Sequence, residues 1–213
     1  MKIKSILSHY LNLFLESPNA RIFPILLGGA FMNFLYIATN AASAVLYHSI
    51  WSATLTVYHL MLIIIRIYLL AVGRSRFADS DRRRICLRVG VLLLLLDLAS
   101  ASMMLYSIRR DSYASYSGVI LLGFLAFTVY SVTRSVIDLR RHRDGENHLY
   151  FTARNISLST SLMSVFNLQY SVLSLLGADS AFTSRAILLC GLSVFSIILF
   201  LSLSLMRRGS SKI

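Results

Sequence analysis

Residues 51–72, WSATLTVYHLMLIIIRIYLLAV, run for the thickness of a bilayer with one formal charge, Arg66. A helix needs about 20 mostly apolar residues to cross roughly 30 Å of hydrocarbon at about 1.5 Å per residue. The run opens on Trp51, a residue type that favours membrane interfaces, and ends just before GRSRFADSDRRR, a segment dense in arginine. That sequence of features predicts a transmembrane helix with its C-terminal end in the cytoplasm.

Composition agrees. The chain has 213 residues, 56% of them hydrophobic and 14% charged, where a soluble domain carries about 25% charged residues. Lipid must therefore solvate much of it. The net charge of +12 would suit a nucleic-acid binder, but the basic residues sit in short links between apolar runs, where topology determinants belong. Nucleic acid is not an expected partner; the bilayer is.

Six runs of spanning length follow one another at 22–46, 51–72, 89–108, 116–137, 156–176 and 182–206. Before them, residues 1–18 place Ile3, Ile6, Leu7, Tyr10, Leu13 and Phe14 at helical spacing opposite Lys2, Lys4, Ser8, His9 and Asn12. This segment is too short and polar to span, and predicts an amphipathic helix lying in the interface. Residues 207–213 form a short basic tail. The predicted fold is all-α, one six-helix transmembrane domain with an N-terminal interfacial amphipathic helix.

Counting basic residues orients it. Sixteen lie at one set of ends: Lys2, Lys4, Arg21, Arg74, Arg76, Arg82, Arg83, Arg84, Arg88, Arg140, Arg141, Arg143, Arg154, Arg207, Arg208 and Lys212. Three lie at the other: Arg109, Arg110 and Arg185. The bias predicts a multi-pass protein of the cell membrane with both termini cytoplasmic. The arginine clusters Arg82–Arg83–Arg84 and Arg140–Arg141 are candidates for anionic lipid headgroups as well as topology signals.

Asp97 is nine residues past Arg88, roughly 13 Å into the hydrocarbon, where a carboxylate costs at least about 2.5 kcal/mol. Arg66 lies at a similar height and is its expected partner. The pair could clamp two helices together, or it could form a proton or substrate site. Other polar residues reach similar depth: Asn33, Tyr36 and Asn40 on one face, His59 in line with Arg66, and Thr160, Ser164, Asn167, Ser171 and Ser174 in the fifth run, with Gln169 beside them. Ser193 and Ser196 add to the set in the sixth run. Convergence of these faces would create a polar centre near the midplane, where transporters bind substrate. The candidate substrate residues are Asn33, His59, Arg66, Asp97, Asn167 and Gln169. Gly28-Gly29 predicts a close helix approach, and Arg134 reads as a snorkelling partner for Asp138.

No cofactor or metal set is legible. Cys86 and Cys190 are too differently placed for a disulfide, and there is no Cys-x-x-Cys. His142, Asp144, Glu146 and His148 share a charged loop without ligand spacing. Gly-x-Ser-x-Gly, His-Glu-x-x-His and P-loop motifs do not occur.

Three stretches, SIWSATLTVYHLMLIIIRIYLL, TVYSVTRSVIDLRRHRD and ISLSTSLMSVFNLQYSVLSLLG, resemble a group of small bacterial six-span membrane proteins. The shared pattern is Trp and Tyr at the head of the second span, an Arg in its second half, and Ser-x-x-Ser-x-x-x-Leu-Gln in the fifth. The resemblance implies a six-span fold and bacterial origin, bears on Arg66, Tyr130 and Gln169, leaves Asp97 outside the pattern, and implies no activity. Two functional expectations stand. One is a small transporter or ligand-binding component with a polar midplane site. The other is an accessory protein acting through a partner or a second copy, its polar residues serving packing only. An intramembrane enzyme ranks behind both.

Overall fold

The structure is a computed structural model that describes residues 22–74, 79–109, 118–141, 148–176 and 180–210. Those residues form six α-helices: α1 (Ile22–Tyr47), α2 (Ile50–Arg74), α3 (Asp79–Arg109), α4 (Gly118–Arg141), α5 (His148–Leu176) and α6 (Ser180–Ser210). Each predicted span is helical over its described residues. The expected interfacial helix at 1–18 lies outside the described residues.

Two helices begin well before the predicted spans. α3 starts ten residues before Val89 and α5 eight before Ile156. Neither extension contains Gly or Pro, so nothing interrupts the backbone hydrogen-bond ladder as it leaves the apolar layer. Arg82, Arg83, Arg84 and Arg88 therefore stand on the first turns of α3, not in a loop.

Five helices, α1, α2, α3, α4 and α6, are long and apolar enough to cross a membrane. Their outward faces are greasy: Phe31, Phe34, Val45, Leu122, Leu189 and Phe200 are 61 to 73% exposed. Meanwhile Asn33, His59, Arg66, Asn167 and many Ser and Thr side chains are buried. Apolar outside and polar inside reverses the soluble pattern and marks a multi-pass membrane protein.

α5 is the exception in composition and the centre of the fold. Among the described residues it is the one helix in contact with all five others. α4, α1, α2, α3 and α6 form an arc around it, each touching the next. Only Val165 and Leu175 of its described side chains are exposed. Its partly covered stripe, Leu158, Leu162, Val165, Gln169 and Val172, recurs at three- and four-residue spacing and lies opposite its hydroxyl-rich face. α5 tracks α3 in parallel: the Cys86 Sγ and Thr152 Oγ1 atoms meet near one end, and Ser107 and Tyr170 share a 2.8 Å hydrogen bond near the other. From Thr152 to Tyr170 that is about 27 Å of helix.

Consecutive helices run antiparallel. The α1–α2 link is two residues long. His48 takes a left-handed conformation, φ 49°, that stops α1, and the Ser49 hydroxyl accepts a hydrogen bond from the Ser52 backbone N–H to start α2. α3 and α6 meet at glycines, Gly90 and Gly209 towards one end and Gly191 towards the other. α4 and α5 are joined by hydroxyls: Thr128 donates to the Ser164 carbonyl, Ser161 to the Ser131 carbonyl and Ser135 to the Ser157 carbonyl, at 2.8 to 3.2 Å.

Candidate functional site

The tight α1–α2 link sets the register that builds the site. Counting back from it, Gly29, Asn33, Tyr36 and Asn40 fall on one stripe of α1, facing Arg66 and His59 on α2. A side chain at Gly29 would overlap the Arg66 guanidinium, and one at Gly28 would lie 3.6 Å from Nη1 of Arg134. The Gly28-Gly29 pair thus admits two arginines where the sequence pattern predicts a neighbouring backbone.

Arg66 is 1% exposed. Its Nη2 donates to Thr160 Oγ1 at 3.3 Å and to Ser157 Oγ at 3.4 Å, both longer than the usual 2.9–3.0 Å optimum of about that range. Arg134 is half-buried, with Nη1 donating to Tyr130 Oη at 3.2 Å. The arginines border a cavity of about 30 Å³ between α1, α2, α4 and α5, lined also by Asn33, Phe127 and Ser131. Asn33 is fully buried, and neither end of its amide has a hydrogen-bond partner. No acidic side chain is among the described lining residues.

Above the cavity lies an aromatic layer. Tyr36 stacks on Phe127 with 4.2 Å between ring centroids and meets His59 edge-on at 4.4 Å. His59 is fully buried, with neither ring nitrogen hydrogen-bonded. Beyond it, Trp51 Nε1 donates to Asn167 Oδ1 at 3.0 Å, and Asn167 Nδ2 donates to Tyr36 Oη at 2.6 Å. This chain ties α2, α5 and α1 together. Trp51, expected at an interface, is 1% exposed and packs against Phe166 and Tyr170.

The structure therefore brings together Asn33 and Arg66, with His59 and Asn167 in the layers above. It does not bring in the rest. No Asp97–Arg66 ion pair is seen among the described residues: Asp97, 3% exposed, stands within electrostatic reach of Tyr58, and its Oδ1 has no hydrogen-bond partner. Arg66 and Tyr58 are eight positions apart on α2, about 12 Å along the helix and about 80° round it, so Asp97 meets α2 about two turns away from Arg66. Gln169 donates to the Ala186 carbonyl of α6 at 3.5 Å, on the far side of α5. Ser193 and Ser196 are exposed, and Ser193 satisfies itself on the Leu189 carbonyl.

Of the headgroup candidates, Arg84 is exposed and Arg82 and Arg83 are half-buried on α3. The side chains of Arg140, Arg141 and Asp138 lie outside the described residues. Arg134, with Gly28 and Gly29, is the contribution that sequence reasoning missed. A glycine pair level with an intramembrane arginine across a two-residue hairpin was the available signal. No family model, curated protein or solved structure matches the chain.

Proposed function

We propose that this is a six-span membrane protein that binds a small solute in the cavity between α1, α2, α4 and α5, as a small transporter or a solute-binding membrane component. α5 serves as the sixth span. It need not be as apolar as the others, because they shield it from lipid, and its one partly open stripe is mostly apolar. The basic bias of the helix ends supports an orientation in the cell membrane with the cavity in the cytoplasmic half.

The observation that carries the reading is Asn33. A fully buried amide with no hydrogen-bond partner at either end costs about 1–3 kcal/mol for each group left unmet. In a site that receives a polar guest, that cost is met when the guest arrives. The cavity volume exceeds the roughly 10–15 Å³ that a single water needs, so polar guests fit and large ones do not.

Labelling tests the reading. Asn33→Cys in a chain with Cys86 and Cys190 replaced by alanine, reconstituted in vesicles, should react with a small water-soluble thiol reagent. No reaction in the folded protein would mean that the cavity is closed, and the polar residues would then be packing elements of an accessory protein.

A further inference from the structure

We propose that Asp97 is a proton-binding site within the membrane, its carboxyl gaining and losing a proton beside the Tyr58 hydroxyl between α2 and α3. The site is separate from the cavity and does not depend on the reading of the cavity as a solute site.

Asp97 is 3% exposed, and its Oδ1 has no hydrogen-bond partner. Leu95 and Leu98, close to it in sequence, are 57 and 54% exposed, so lipid surrounds the outer face of α3 at this level. The helices packed against α3 are α2, α5 and α6. Contacts on either side of Asp97 fix what each brings to it. α3 meets α5 at Cys86–Thr152 and again at Ser107–Tyr170, which puts Asp97, about halfway between, level with the region of Ser161. α3 meets α6 where Gly90 faces Ser202 and Met206 and where Met104 faces Gly191, which puts Asp97 level with the region of Ile197. One turn to either side, residues 157–165 read SLSTSLMSV and residues 193–201 read SVFSIILFL. Neither stretch holds an ionisable group.

On α2 the facing group is Tyr58, whose hydroxyl feels the Asp97 charge. His59, next in sequence, turns to Tyr36 and Phe127, and Arg66 lies about 12 Å further along the helix. Among the described residues no cation is paired with Asp97.

An ionised carboxyl in hydrocarbon is costly without a counter-charge, and its neutral acid is not. The Asp97 carboxyl is therefore built to take a proton. A metal cation would need about six oxygen ligands, and this place offers one carboxyl and one hydroxyl. Tyr58 makes release of the proton possible as well as uptake. It is 1% exposed and its Oη has no hydrogen-bond partner. A phenol hydroxyl can donate to the ionised carboxyl and accept from the acid, and this one is committed to neither. Both forms of Asp97 thus have a partner at hand. The step is proton transfer alone: the acid O–H breaks, the proton leaves on water, and the reverse restores it.

The test uses the full chain in lipid nanodiscs. Infrared spectra are taken as the pH is raised from about 5 to about 9, and spectra of Asp97→Asn are subtracted so that the other acidic residues cancel. The expected result is the carbonyl band of a protonated carboxylic acid at the low end, replaced by carboxylate bands at the high end. Tyr58→Phe removes the donor to the ionised form, so the acid band should persist to a proton concentration at least tenfold lower. A carboxylate signal across the whole range would overturn the proposal, because Asp97 would then be an ion held by a counter-charge. An acid band unchanged across the range would overturn it too, because Asp97 would then be a fixed packing group. An unmoved titration in Tyr58→Phe would overturn the role given to Tyr58. Where Asp97→Asn fails to insert, Asp97→Glu serves as the reference, since the longer side chain moves the same band and leaves the other acids unchanged.

Discussion

The α3–α6 pair and the α1–α2–α4–α5 group solve the same packing problem in opposite ways. In the first, glycine is spent on closeness: a Cβ at Gly90 would lie 2.8 Å from Met206 Cγ and 3.0 Å from the Ser202 carbonyl oxygen, and one at Gly209 would lie 2.7 Å from the Leu87 backbone nitrogen. In the second, glycine at position 29 makes room for a charged side chain, and the neighbours are amides, hydroxyls and a cavity. Helices in lipid gain little from hiding apolar surface from one another, so close contact and interhelical hydrogen bonds hold them together. The pair built on contact has no space to give. The group built on polar groups keeps donors in reserve, which is what a binding site requires.

The contrast predicts a graded set of effects. Gly90→Leu should be the most damaging, because one of the two atoms nearest the new Cβ is backbone and cannot move aside; a loss of about 3 kcal/mol or more is expected, read by unfolding in mixed micelles. Gly191→Ala meets only side chains, Met104 and Phe166, so a loss of about 1–3 kcal/mol should be largely recovered in the double variant with Met104→Ala. Failure of that recovery would show that the interface is not the tight contact described.

In the polar group, Asn167→Ala removes two buried hydrogen bonds, to Trp51 and Tyr36. At about 0.6 kcal/mol for an average interhelical bond in a membrane, the expected loss is about 1 kcal/mol. Trp51 is the sole tryptophan, so its emission should shift in the same variant, and an unchanged spectrum would mean that the bond contributes nothing. Asp97→Asn should change stability by less than about 1 kcal/mol in either direction, since no ion pair is lost. It should also leave the labelling of Asn33→Cys intact; loss of that labelling would bring Asp97 back into the site. Gly123→Ala, with nothing within 4 Å of the added Cβ, should be the mildest, a gain of about 0.5–1 kcal/mol from reduced backbone freedom.

Much of this was legible in one dimension. The apolar runs carry their own period and length, and the Arg-dense links set them apart, so the helices emerge within a few residues except where a basic segment continues the helix outward. That Asn33 and Arg66 are buried was legible too, because polar groups in an apolar run have nowhere else to go. Their partners were not. Asp97 stands near Tyr58, eight positions from Arg66 on α2; α3 begins ten residues before Val89, which shifts Asp97 along α2 from the height that the predicted span gave it. Arg134 looked like a surface arginine near a helix end, and only the approach of α1 through Gly28 and Gly29 brings it beside Arg66.

The sequence by itself determined that the chain is helical, that its apolar runs are of membrane-spanning length, and which residues lipid would not tolerate. These follow from hydropathy and the 1.5 Å rise of a helix, both local properties. The tertiary structure decided that the one described helix outside the five apolar spans lies at the centre, that Asp97 stands near Tyr58, and that two arginines share one cavity. Those outcomes depend on contacts between residues such as Gly29 and Arg66, or Trp51 and Asn167, which are far apart along the chain and meet only when several helices have settled their rotation together.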